Sequence, residues 1–160
     1  MKKILSAASI CLATIGMSSM ATAETWSPPG AIALASVGNL EVKKGLTLFC
    51  DLSGSVNSTG ADASVGSLAL SGGALNMCSR VAFEGLPYAL VGNANNTVTI
   101  KNVTVSAVTG DCTGDLTGSF DQSTGRITFN NAQIPSSGSG GACVIDGVVS
   151  TNPQSSYTVP

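Results

Sequence analysis

Histidine is absent from all 160 residues of this chain. That one omission removes the serine–histidine nucleophile pair, imidazole metal ligation and the commonest general base together. Charge is also scarce: Asp, Glu, Lys and Arg make up 10% of the sequence, with seven Lys and Arg in total. Phosphate binding needs clustered cations, so a nucleic-acid partner is disfavoured. No Gly-x-Ser-x-Gly elbow occurs among the many serines. Beyond the first 20 or so residues no run is apolar enough to span a bilayer, so no transmembrane segment is expected.

The N-terminus reads as a signal peptide over residues 1–23. Met1-Lys2-Lys3 precedes an apolar run from Ile4 to about Met17, and Ala21-Thr22-Ala23 offers a small-residue cleavage site before Glu24. Cys11 lies inside this leader and is followed by Leu12-Ala13-Thr14, which argues against lipoprotein anchoring. Cleavage predicts a secreted, extracellular chain, with the periplasm as the alternative. Residues 24–160 carry five basic and nine acidic residues, a formal charge of −4. Their length suits one domain with a real core.

Four cysteines remain in that part: Cys50, Cys78, Cys112 and Cys143. An even count in an exported chain predicts two disulfides, for which sequence alone permits three pairings. An internal repeat favours one of them. Leu52-Ser53-Gly54-Ser55-Val56 recurs as Leu116-Thr117-Gly118-Ser119-Phe120, and Ser58-Thr59-Gly60 recurs as Ser123-Thr124-Gly125. The closing cysteines keep the same offset, so Cys50 with Cys78 and Cys112 with Cys143 is expected.

Period-two alternation dominates. Leu46, Leu48, Cys50, Leu52 and Val56 share one face, and Thr47, Phe49, Asp51, Ser53 and Ser55 the other, which predicts half-buried strands. Similar alternation recurs to Phe129, with a phase slip near Lys101-Asn102 that predicts a bulge. Both Ser-Thr-Gly turns are placed to close hairpins. The expected fold is therefore all-β: a two-sheet, jelly-roll-like β-sandwich of about eight to ten strands, built from repeat units near 46–92 and 97–150. Residues 24–45 are read as an N-terminal extension and edge strand ahead of a single domain over 46–160. Trp26, Ile32 and Leu34 are its candidate interaction residues. Residues 135–142, rich in Gly and Ser, read as a flexible loop.

Chemistry is harder to find. Asp111, Asp115 and Asp121 cluster in sequence, but solvated turns and strand ends explain them better than a catalytic carboxylate pair or a calcium loop. The sequons at Asn57, Asn95 and Asn102 are coincidental in a chain with a bacterial-style leader. No cofactor and no metal is expected.

The leader, Ser27-Pro28-Pro29, Gly45-Leu46-Thr47-Leu48-Phe49-Cys50, Leu70-Ser71-Gly72-Gly73 before Cys78, and Leu86-Pro87-Tyr88 together resemble the alkane oxidation activator proteins of the PraA/PraB family. The resemblance implies a small secreted protein of a Gram-negative bacterium, tied to growth on long-chain alkanes and to hydrocarbon emulsification. It brings no catalytic residues with it. The expected partners are hydrocarbon or cell-surface material. Low charge also suits self-association, so the second expectation is a subunit of an extracellular fibre or biofilm matrix, joined by β-strand addition through residues 31–37.

Overall fold

Strand alternation carries through almost every segment of the chain in the computed structural model, which describes residues 24–160. The leader read over residues 1–23 lies outside the described residues. In chain order the strands are β1 (Thr25–Ser27), β2 (Gly30–Ser36), β3 (Leu40–Lys44), β4 (Leu46–Ser58), β5 (Ala63–Ser71), β6 (Ala82–Glu84), β7 (Tyr88–Asn93), β8 (Thr97–Ser106), β9 (Cys112–Asp121), β10 (Arg126–Ile134), β11 (Cys143–Asn152) and β12 (Ser156–Thr158). A short 3-10 turn, Ala74–Arg80, joins β5 to β6.

Each long strand is antiparallel to its neighbour in sequence, and the last closes on the first. β11 pairs with β10 on one side and with β2 and β3 on the other, so the main sheet becomes an eight-stranded barrel. Two of the eight positions are each filled by two segments. β2 and β3 together form one interrupted strand between β4 and β11. β6 and β7 together lie along β8, broken at Gly85-Leu86-Pro87.

The barrel corrects the expected two-sheet sandwich. An alternating apolar face looks the same in sequence whether a sheet packs on a partner or curls onto itself. Closure depends instead on curvature, and bulges supply it: registers shift between Ser55 and Val56, between Ile100 and Val103, and between Phe129 and Ala132. The middle shift is the bulge expected near Lys101-Asn102, with Asn102 at a φ of 53°. Closure also gives β2 partners on both sides over Ala33–Ala35, while Gly30–Ile32 pair with β4 alone.

The inside is apolar. Ile32, Leu34, Leu40, Val65, Val98, Val103, Ile134 and Val149 are all buried. Glycines make room for the bulkiest neighbours: a Cβ at Gly118 would come within 2.9 Å of the Ile127 and Phe129 side chains. The outside is small and polar, with hydroxyl rungs such as Ser55 to Ser67 at 2.8 Å and Thr99 to Thr117 at 2.9 Å. This polarity, apolar within and hydroxylated without, is the reverse of a transmembrane barrel. Among the described residues no helix is long and apolar enough to cross a membrane.

One end of the barrel is plugged. β1 and β12 pair across it, and Trp26, Phe120 and Tyr157 stack with ring centroids 5.1 to 6.5 Å apart. The Tyr157 hydroxyl donates to the Asn93 and Thr97 carbonyls at 2.8 and 2.7 Å. Its ring occupies the space a side chain at position 92 would need. Replacing Gly92 with Val should therefore expel the plug and cost about 1–3 kcal/mol in urea unfolding. The same change at Gly138, where nothing lies within 4 Å, should leave the unfolding midpoint where it is.

Candidate functional site

The opposite end carries both disulfides and is not plugged. Cys50 on β4 joins Cys78 in the 3-10 turn, and Cys112 at the start of β9 joins Cys143 at the start of β11, with Cα–Cα distances of 5.7 and 6.1 Å. These are the pairs the repeat favours. Their sequence separations of 28 and 31 give about 3 kcal/mol each in the chain-entropy account. What they hold in place is a set of turns at one rim: Gly45, the segment Gly72–Val81, the β8–β9 turn and the Gly-rich loop 135–142.

Large apolar side chains point into solvent at this rim. Leu75 is 94% exposed, Val108 73% and Phe49 59%, and Leu46 is about half exposed. Leu75 and Asn76 both sit in the left-handed backbone region, at φ of 53° and 57°. That conformation is unusual for leucine. It is held by Gly72 and Gly73, by hydrogen bonds from the Asn76 N–H to the Gly73 carbonyl (3.2 Å) and from the Cys78 N–H to the Gly72 carbonyl (3.3 Å), and by the Cys50–Cys78 bridge. The fold thus fixes a leucine outward that it does not bury, and strained backbone of this kind clusters at functional positions.

Behind the rim, three apolar cavities follow one another into the barrel. The outermost, about 30 Å³, is lined by Val42, Lys44, Met77, Val105 and Val108 among others. It shares Val42, Val81 and Val105 with the next, of about 20 Å³. That one shares Leu40, Leu52 and Phe83 with the innermost, about 40 Å³ and lined by apolar side chains throughout. Each is far below the ~150 Å³ that accepts a benzene molecule, so the interior is a core with gaps and not a ligand chamber.

The residues singled out in the sequence fall elsewhere. Trp26 is buried in the plug at the far end, and its indole N–H has no hydrogen-bond partner. Ile32 and Leu34 are buried inside the barrel wall. The aspartates do not converge. Asp115 pairs with Lys101 and accepts the Asn102 amide at 3.0 Å, stabilising the β8 bulge. Asp121 accepts from Ser123 and Thr124 in the β9–β10 turn, and Asp111 accepts from Ser106 at 2.9 Å. Among the described residues no group of three or more His, Cys, Asp or Glu is gathered to hold a metal.

The rim was hidden in the sequence for a plain reason. Phe49 stands on the polar side of the β4 alternation, beside Thr47 and Asp51, and that misplacement was its one visible signal. Leu75 and Val108 lie between turn residues where no periodicity applies. Nothing marked Lys44 as a lysine that would be buried.

The two lowered carboxylates give a pH signature. The Lys101 ammonium holds Asp115 below the usual aspartate value of 3.8, and the Ser123 and Thr124 hydroxyls do the same for Asp121. Their contribution is therefore fully present above that value and is lost as pH falls through the lower folded values. Asp115→Asn with Asp121→Asn should lower stability near neutral pH and flatten the acid limb below about pH 4, as read by urea midpoints across that range. An unchanged acid limb would contradict it.

Comparison with known families adds one match. The family model described as alkane oxidation protein activator PraA/PraB-like covers residues 1–159. No curated protein and no solved structure matches the chain.

Proposed function

Because this chain belongs to the PraA/PraB-like family of alkane oxidation protein activators, we propose that it promotes alkane use without catalysis, by adsorbing where hydrocarbon meets water. The single observation that supports this most is Leu75, 94% exposed on a strained, disulfide-held turn. Val108, Phe49 and Leu46 are exposed at the same rim. Moving an exposed leucine or phenylalanine from water into oil yields roughly 1.5–3 kcal/mol. Scaled by their exposure, the four side chains together supply roughly 5 kcal/mol of adsorption free energy. Carriage of an alkane inside the barrel is the weaker version of the idea, since the innermost of the three cavities behind the rim is about 40 Å³.

The alternative role, as a fibre or matrix subunit joined by strand addition, draws support from one discontinuity. β5 pairs with β7 over Ala63–Val65 only, while β6 pairs with β8, so Gly66–Ser71 of β5 have no strand partner on the side away from β4. A strand from a neighbour would add there. Residues 31–36, by contrast, are already paired within their own barrel.

Pendant-drop tensiometry at a hexadecane surface tests the first reading. Leu75→Ser and Val108→Ser should each weaken adsorption by roughly tenfold, from about 1.5 kcal/mol of lost transfer energy, without altering the unfolding midpoint. Reduction of the disulfides should have a comparable effect by releasing the turn. Wild-type adsorption from both serine variants would overturn the proposal, and filaments in electron micrographs of the purified protein would favour the alternative.

A further inference from the structure

Lys44 is the residue at the open end whose burial the interfacial role does not explain. It closes β3 immediately before the Gly45 turn, is only 6% exposed, and lines the outermost cavity together with Val42, Met77, Val105 and Val108. Its ammonium donates to the Gly141 carbonyl at 2.6 Å and to the Ser136 hydroxyl at 2.7 Å, while its third contact, to the Asp111 carbonyl, stretches to 3.5 Å. None of these acceptors is charged. Lys101–Asp115 is the one ion pair among the described residues, so the Lys44 charge is buried with no carboxylate to neutralise it. A buried cation without a counter-charge is costly, and the usual resolution is an anion.

We propose that this site binds the carboxylate of a monoalkyl carboxylate, a fatty-acid-like amphiphile, with Lys44 as the counter-ion. The third proton, 3.5 Å from the Asp111 carbonyl, is the one available to a carboxylate oxygen for a charge-assisted hydrogen bond beside the cavity that Lys44 lines. The chain runs outward from there. A cavity of about 30 Å³ takes only its first carbons, and the remainder lies against Met77, Val108 and Leu46, where the flexible thioether adapts to a chain of any length. Head and tail are thus recognised by different groups: charge by Lys44, apolar length by the rim. Full oxidation of an alkane terminus generates this class of molecule. The proposal goes beyond the interfacial reading and stands apart from it, because it concerns one dissolved molecule and needs no oil phase.

The experiment compares octanoate with 1-octanol by isothermal titration calorimetry on the disulfide-intact protein, below the micelle concentration and with no hydrocarbon present. Octanoate should bind about tenfold or more tightly than octanol, the scale of one charge-assisted hydrogen bond. Lys44→Met should erase that preference, and Lys44→Arg should keep it. Ser136→Ala, which cuts a tie to the 135–142 loop but leaves the ammonium, should also keep it. A preference lost equally in Ser136→Ala assigns Lys44 to loop anchoring and overturns the proposal, as does equal binding of acid and alcohol, no binding of octanoate, or a preference that survives Lys44→Met. Amide shifts on adding octanoate to the wild-type protein give a second reading that does not depend on any variant folding. They should centre on Val105, Gly141 and Cys143, and shifts centred on Tyr157 at the plugged end would equally overturn it.

Discussion

Pairing of β11 with β2 and β3 is the contact on which the rest of the molecule depends. It brings residues near the beginning of the described chain against residues near its end, and without it the other strands form an open meander with two bare edges. Such edges invite pairing with other chains. Closure converts them into an uninterrupted ring of hydrogen bonds, except along the upper half of β5. Because each contact that completes the ring joins residues more than 100 apart, as in Val149 with Ser36, folding must meet a large loop-closure cost before the ring rewards it. The two disulfides lie at the end where the connections are longest and the backbone least regular, and there a shorter tether is of most use.

The barrel has unlike ends, and the difference comes from which side chains the termini supply. At one end β1 and β12 contribute Trp26 and Tyr157, which fill the bore with aromatic rings beside Phe120. At the other end no terminal strand among the described residues performs that task. The turns there leave Leu75, Val108 and Phe49 in water, and the cavities behind them share lining residues from one to the next. An apolar interior that is sealed below and incompletely covered above has one direction in which it can meet an apolar phase.

How far the sequence could be read follows from what kind of information each feature needs. Strand identity, the bulge at Asn102 and the all-β class follow from period-two alternation and its slip, which are local. The disulfide pairing was legible because the closing cysteines, Cys78 and Cys143, keep the offset of the repeated blocks around them. Barrel closure was not legible, since Leu34 and Val149 alternate inward in the same way whether their strands form a ring or a sandwich. The rim was not legible either: Leu75 owes its exposure to a left-handed turn, and Lys44 owes its burial to a loop that folds over it from 92 residues away. Both are properties of tertiary contact. Trp26, the sole tryptophan, packs against Phe120 and Tyr157, as a single tryptophan near a terminus commonly does to anchor it.

Both described ends of the chain, at Thr25–Ser27 and Ser156–Thr158, sit over the plug and so face away from the disulfide rim. A molecule resting on an oil droplet by that rim would stand upright, with its termini toward the water and its hydroxyl-covered wall against its neighbours. Such a film would present to an approaching droplet the plugged end, where Asp62 and Asp121 stand exposed beside Thr25, Ser27 and Thr158. Like-charged carboxylates facing one another across the gap would add a repulsion to the layer's bulk and bound water, and salt would screen that part away.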